Sequence, residues 1–166
     1  LFDRTGAFKD CGYYRSASLS GDINHAQVYR NKSLALISDR GASSIVILNL
    51  SADTNGTRGT DIVIGGSDGN VSLIDENGIV YDAGTELWVK QHNAEYFGGN
   101  EVYMYDNHVV SSRNDVFQNN SRALIIKLEE EKGAARIVWS YDMGFFTPVF
   151  GDVDRVVNNH IQICGW

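Results

Sequence analysis

A chain of 166 residues, 43% hydrophobic and 21% charged, has the length of one ordinary domain and enough apolar side chains for a packed core. Its formal net charge of −7 excludes a general nucleic-acid-binding surface, because neutralising phosphates demands a basic excess; one local cationic cleft remains compatible with it. No stretch approaches the roughly 18 to 20 apolar residues of a membrane-spanning helix.

Glycine occurs 17 times and proline once, beside many aromatic and β-branched residues. That balance suits short strands joined by tight turns. The chain opens on Leu1-Phe2-Asp3 without a recognisable leader and stops inside the apolar run Ile163-Cys164-Gly165-Trp166, so the expectation is a piece of a longer protein. Cys11 and Cys164 lie far apart with no C-x-x-C spacing, so no metal site is expected, and a disulfide and two free thiols both stay open. Asn-x-Ser/Thr sequons at Asn31, Asn49, Asn55, Asn70 and Asn119 would matter in a secreted protein, but an Asn- and Ser-rich chain also produces them by chance.

In chain order, the first apolar runs are Ser33–Asp39, Ser44–Leu50 and Asp61–Ile64, each of strand length. Val71–Asp75 and Ile79–Asp82 flank Glu76-Asn77-Gly78, a hairpin signal because Asn-Gly tolerates positive φ. Glu86–Lys90, Glu101–Tyr105, Ala123–Leu128 and Arg136–Tyr141 follow as expected strands. Glu129 to Arg136 has room for one helical turn, and Gly133 argues against more. Val153–Val157 and Ile161–Cys164, joined by Asn158-Asn159, close the chain. No amphipathic helix of three turns is present.

An internal repeat organises these strands. His25, Tyr29 and Asp39 align with His92, Tyr96 and Asp106, in each case His, then Tyr, a turn, a strand and Asp. A third copy fits from Gly151 to Gly165, with Gly151 at the histidine position. The fold class expected is therefore all-β, a β-propeller fragment of about two four-stranded blades plus the start of a third, with blade-like repeats starting near residues 22, 89 and 150 of a single domain spanning 1–166. Each blade cannot cover both faces of its own sheet and needs neighbours. His25 and His92 would then converge on the central channel from adjacent innermost strands.

Several blocks carry a family resemblance. Asp22-Ile-Asn-His25, Leu36-Ile-Ser-Asp-Arg40 and Ile64-Gly65-Gly66 come first. Gln91-His92, Tyr105-Asp106-Asn107 and Ser121-Arg122 follow, then Ile137-Val-Trp-Ser-Tyr141 and Phe150-Gly-Asp-Val153 with the Asn158-Asn159 turn. In shared order and spacing, over about residues 20 to 166, they resemble the arylsulfotransferase family. The resemblance implies a propeller enzyme that moves a sulfuryl group from a phenolic sulfate to an acceptor phenol through a sulfated histidine, with no nucleotide sulfate donor and no cofactor. Its partners would be the phenolic sulfate, the phenol and the remainder of its own propeller. It hints at an exported enzyme, in the secreted or periplasmic and lumenal compartments.

The resemblance implies catalytic roles for His25, His92 and Arg113, and substrate-binding roles for Arg40 and His108. Arg113 lies further beyond Asp106-Asn107 than the family pattern has its arginine, and His108 is the substitute. The sulfated histidine itself is expected in a later segment, past Trp166, which would leave the piece alone inactive. The residue types fit the chemistry: neutral imidazole is a nucleophile near pH 7, and cationic donors stabilise three sulfuryl oxygens.

Plainer roles stand beside these. Asp39 and Asp106 suit turn-closing hydrogen bonds, Arg40 a strand-end ion pair, Tyr29 and Tyr96 packing, and Trp88 and Trp139 core anchors. The alternative function is a non-catalytic propeller that serves as a binding module. A quinone-cofactor propeller dehydrogenase is disfavoured, because its repeated tryptophan-docking motif is missing and the chain has only 3 Trp.

Overall fold

The computed structural model describes residues 19–29, 33–50, 61–111 and 116–165. Among the described residues the protein is all-β, and none of the sheets closes on itself. Strands β1 (Ile23–Tyr29), β2 (Leu34–Asp39), β3 (Ser44–Asn49) and β4 (Ile62–Ile64) form an antiparallel sheet in chain order. Next come β5 (Ser72–Ile74), β6 (Val80–Tyr81), β7 (His92–Gly98) and β8 (Glu101–Asp106). The small hairpin β9 (Val109–Ser111) and β10 (Val116–Gln118) precedes β11 (Arg122–Glu129) and β12 (Ala134–Asp142). The hairpin β13 (Asp152–Arg155) and β14 (Ile161–Cys164) ends the fold.

The second sheet has six strands in the order β6-β5-β12-β11-β8-β7. Its β7, β8, β11 and β12 are successively antiparallel, whereas β5 joins β12 in parallel. The expected β5–β6 hairpin does form: Asp75 Oδ1 accepts the Asn77 and Ile79 amides, both at 2.9 Å, and Gly78 takes φ +85°. It extends the second sheet and leaves the first at four strands.

Burial on both faces explains why the strands read as unbroken apolar runs. Successive residues alternate between two cores. Leu36, Ile45 and Ile47 of the first sheet meet Val102, Met104, Leu124 and Ile126 of the second. Their chain neighbours Ala35, Ile37, Val46 and Leu48 line the opposite face of the first sheet. Tyr103, Tyr105, Ala123 and Ile125 turn the other way and pack with Val153 of the last hairpin. The first strand of each repeat therefore stands beside the next, β1 against β7 and β7 against β13.

Two expectations need correction. Residues 86–90 are not a strand, because their polar groups go to other partners. The Lys90 amide donates to Ser43 Oγ at 3.1 Å, the Val89 amide to Asp106 Oδ1 at 3.0 Å, and Leu87 O accepts from Arg122 at 2.8 Å. Lys90 also takes φ +59°, outside the strand region of backbone space, while Trp88 is buried as an anchor. The strand expected over 153–157 stops at Arg155, and a 3-10 turn of Val157–Asn159 follows with Asn158 and Asn159 both at positive φ. The single turn expected after Glu129 is a 3-10 turn, Glu130–Lys132, ended by Gly133 in the left-handed region.

Candidate active site

His25 and His92 occupy the same register, opposite Ser38 on β2 and Tyr105 on β8 respectively. Each strand is irregular at its histidine, β1 between Ile23 and His25 and β7 between His92 and Glu95. Such bulges re-aim side chains. The strands are joined by amide side chains. Asn24 Nδ2 donates to Gln91 O at 2.7 Å, and Gln27 takes the Tyr96 amide at 2.8 Å. The Tyr29 and Tyr96 rings meet across the same seam with centroids 4.4 Å apart, tilted by 35°.

The His92 ring is held in one tautomer. Asn107 Nδ2 donates to Thr147 O at 2.9 Å and to Phe150 O at 2.7 Å, so its Oδ1 faces His92 Nδ1 at 2.7 Å. Nδ1 must then carry the proton, and the bare Nε2 accepts the Phe150 amide at 3.3 Å. Asn107 is fully buried and has no freedom to reverse. Burial lowers the His92 pKa below its ordinary 6.5, against the Asn107 hydrogen bond; nearby Arg40 lowers it further and Asp22 opposes. His92 is thus a neutral imidazole at pH 7.

Arg40 closes β2 with a 2.9 Å ion pair from Nη1 to Asp22 Oδ2, and its Nε is buried without a partner. His25 Nε2 is likewise buried without a hydrogen bond. Its charge neighbour is Glu95, whose pKa burial raises and which Asp154 and Asp152 raise further while His25 opposes. Burial and Asp152 together also raise Asp154.

The structure places His25 and His92 on the contacting strands β1 and β7, with Arg40, in the turn after β2, near enough to act on the charge of His92. His108 turns away: its Nδ1 lies 3.6 Å from Asp106 Oδ2 and its Nε2 3.3 Å from Asn119. Arg113 lies outside the described residues. Asp39 and Asp106 are fully buried turn acceptors, Asp39 for the Ser20 and Ala42 amides and Asp106 for those of Val89 and His108. Asp106 is also clasped by Arg122 through Nε at 3.1 Å and Nη2 at 2.7 Å. Among the described residues, no three His, Cys, Asp or Glu side chains converge to hold a metal ion.

Sequence reasoning quoted Asn107 and Phe150 within motifs but gave them no role. The one local signal was that Asn107 follows the repeated Asp106 where Arg40 follows Asp39. The third repeat position is also explained. Gly151 has φ +119°, and a Cβ there would sit 2.3 Å from the Tyr105 ring, so no histidine fits.

An oriented imidazole whose charge feels a nearby guanidinium has the residue chemistry that group transfer on an anionic substrate requires. The arylsulfotransferase (ASST) family profile matches residues 23–165, and the chain belongs to that family. At family level its function is aryl sulfotransfer on small aromatic substrates. No individually curated protein matches the chain.

Proposed function

We propose that this chain supplies part of the sulfuryl-transfer site of an aryl sulfotransferase, with its sheets serving as consecutive blades of a β-propeller. The adjacency of β1, β7 and β13 supports the blade reading. The observation that carries the chemistry is the fixed, neutral tautomer of His92.

In this reading the His92 Nε2 lone pair attacks the sulfur of a phenolic sulfate. The N–S bond forms, the S–O bond to the aryl oxygen breaks, and a phenolate leaves. An acceptor phenol then passes its proton, through solvent, to the released phenolate, its oxygen bonds to sulfur and the N–S bond breaks, which restores Nε2. Arg40 and His25 hold the sulfuryl oxygens, and no nucleotide donor enters. The proposal moves the nucleophile from a later segment to His92, because His92 meets the two demands of that role, neutrality and fixed orientation. The neighbouring Phe150 amide must release Nε2 first, and at 3.3 Å that bond is long. His108, turned to Asp106, remains outside these steps, and Arg113 keeps the catalytic role that the family resemblance implies.

The test uses the natural gene product carrying this sequence, incubated with 4-nitrophenyl sulfate and no acceptor. Intact mass is expected to rise by one SO3, with peptide mapping placing it on His92. An adduct on another histidine would move the nucleophile there and leave His92 with the phenol proton. A folded protein that gains no adduct and releases no phenol would overturn sulfotransfer and favour a non-catalytic binding propeller.

A further inference from the structure

Phe150 combines features that core packing does not explain. It is a bulky residue at φ +64°, a left-handed conformation that disfavours L side chains. The strain is not offset by burial, since the residue is 62% exposed. Both backbone polar groups are nevertheless tied to the site: the carbonyl accepts from Asn107 at 2.7 Å and the amide reaches His92 Nε2. The ring centroid lies 5.9 Å from that of His92, tilted by 57°. Phe145 and Val149 of the same segment are exposed as well, 45% and 41%.

Backbone strain held in place by side-chain hydrogen bonds clusters at working sites. We infer that Phe150 is the aryl-recognition residue of this site, its exposed ring packing against the aromatic ring of a phenolic sulfate whose sulfur faces His92. This rests on the reading of His92 above and adds the substrate contact that reading lacks. An apolar face next to a neutral imidazole favours an aromatic ester over an aliphatic one, and tilted or offset ring pairs are the favoured geometry. Gly151 fixes the segment behind it, since Tyr105 leaves no room for a side chain there.

The experiment compares wild type with Phe150→Gly, Phe150→Leu and Phe150→Tyr in the natural gene product. Binding of 4-nitrophenol is read by calorimetry, and turnover of 4-nitrophenyl sulfate is read in parallel. Both the glycine and the leucine variant should weaken 4-nitrophenol binding and raise KM about 3- to 10-fold, as loss of one aromatic pair implies, with kcat little changed. The tyrosine variant should restore both. Phe150→Gly also relieves the positive φ, so its melting temperature should hold or rise, which separates lost recognition from lost folding. Unchanged 4-nitrophenol binding in the stable glycine variant would overturn the assignment. Weakened binding without any turnover in wild type would uphold Phe150 as an aryl contact and reject the sulfotransfer reading alone.

Discussion

The tautomer of His92 depends on a single amide. Asn107 offers its oxygen to the ring only because its nitrogen is committed to two carbonyls. Asn107→Ala should therefore cost about 1 to 3 kcal/mol in urea unfolding, since Thr147 O and Phe150 O lose a buried donor. Asn107→Asp keeps an acceptor for Nδ1 but adds a charge beside the ring. The His92 titration, followed by NMR, should then move upward, and the activity profile with it. The pH dependence of stability has a definite sign. Folded His92 titrates below 6.5, so between its folded value and 6.5 the unfolded chain binds more protons. Stability attributable to His92 is full above about pH 6.5 and falls as pH drops through that window. Glu95 acts in the opposite sense at lower pH: with its folded pKa raised above 4.5, it loses stability as pH rises past that range. Glu95→Gln keeps an acceptor for Gln27 and removes a charge facing Asp152 and Asp154. Its melting temperature should exceed that of wild type at pH 7.

At the scale of elements, the segment between β6 and β7 clamps the second sheet to the first through hydrogen bonds. Residues 87–91 are pinned to the β2–β3 turn and to Asp106. Asp106 is fully buried and Arg122 is its ionic partner, so Arg122→Ala strands a buried carboxylate. About 3 kcal/mol of destabilisation should appear in denaturant titration, and Asp106→Asn should lose less, because its oxygen still accepts the Val89 and His108 amides. Gly151→Ala drives a methyl into Tyr105 from a positive φ and should lose about 2 to 3 kcal/mol by the same measurement. Much of this level was legible in the sequence. The runs that became β2, β3, β8 and β11 are largely apolar, which suits strands buried on both faces. Residues 86–90 misled because Leu87, Trp88 and Val89 have strand-like composition. Only the side-chain partners of their backbone show that no ladder forms there.

For the whole molecule, three apolar cores separate and join the sheets. Leu124, fully buried in the core shared by both large sheets, is a fair probe of that packing. Leu124→Ala should cost about 2 to 5 kcal/mol, seen as an earlier urea midpoint with an unchanged slope. The sequons are also sorted by environment. Asn119 is exposed, whereas the Asn70 amide bridges the Val63 amide at 2.8 Å and Asp61 O at 2.7 Å.

By itself the sequence determined the all-β class, the histidine-bearing repeat and the family, because period-two burial and tight-turn chemistry are local and repeat spacing survives in one dimension. The tertiary structure alone decided that Asn107 orients His92, that Phe150 stands over it and that Asp106 needs Arg122. It also decided that the β5–β6 hairpin joins the second sheet and that the Tyr105 ring leaves no room for a side chain at Gly151. Each of these depends on which distant side chains meet after packing, and hydrogen-bond partners tens of residues apart leave no periodic trace in the chain.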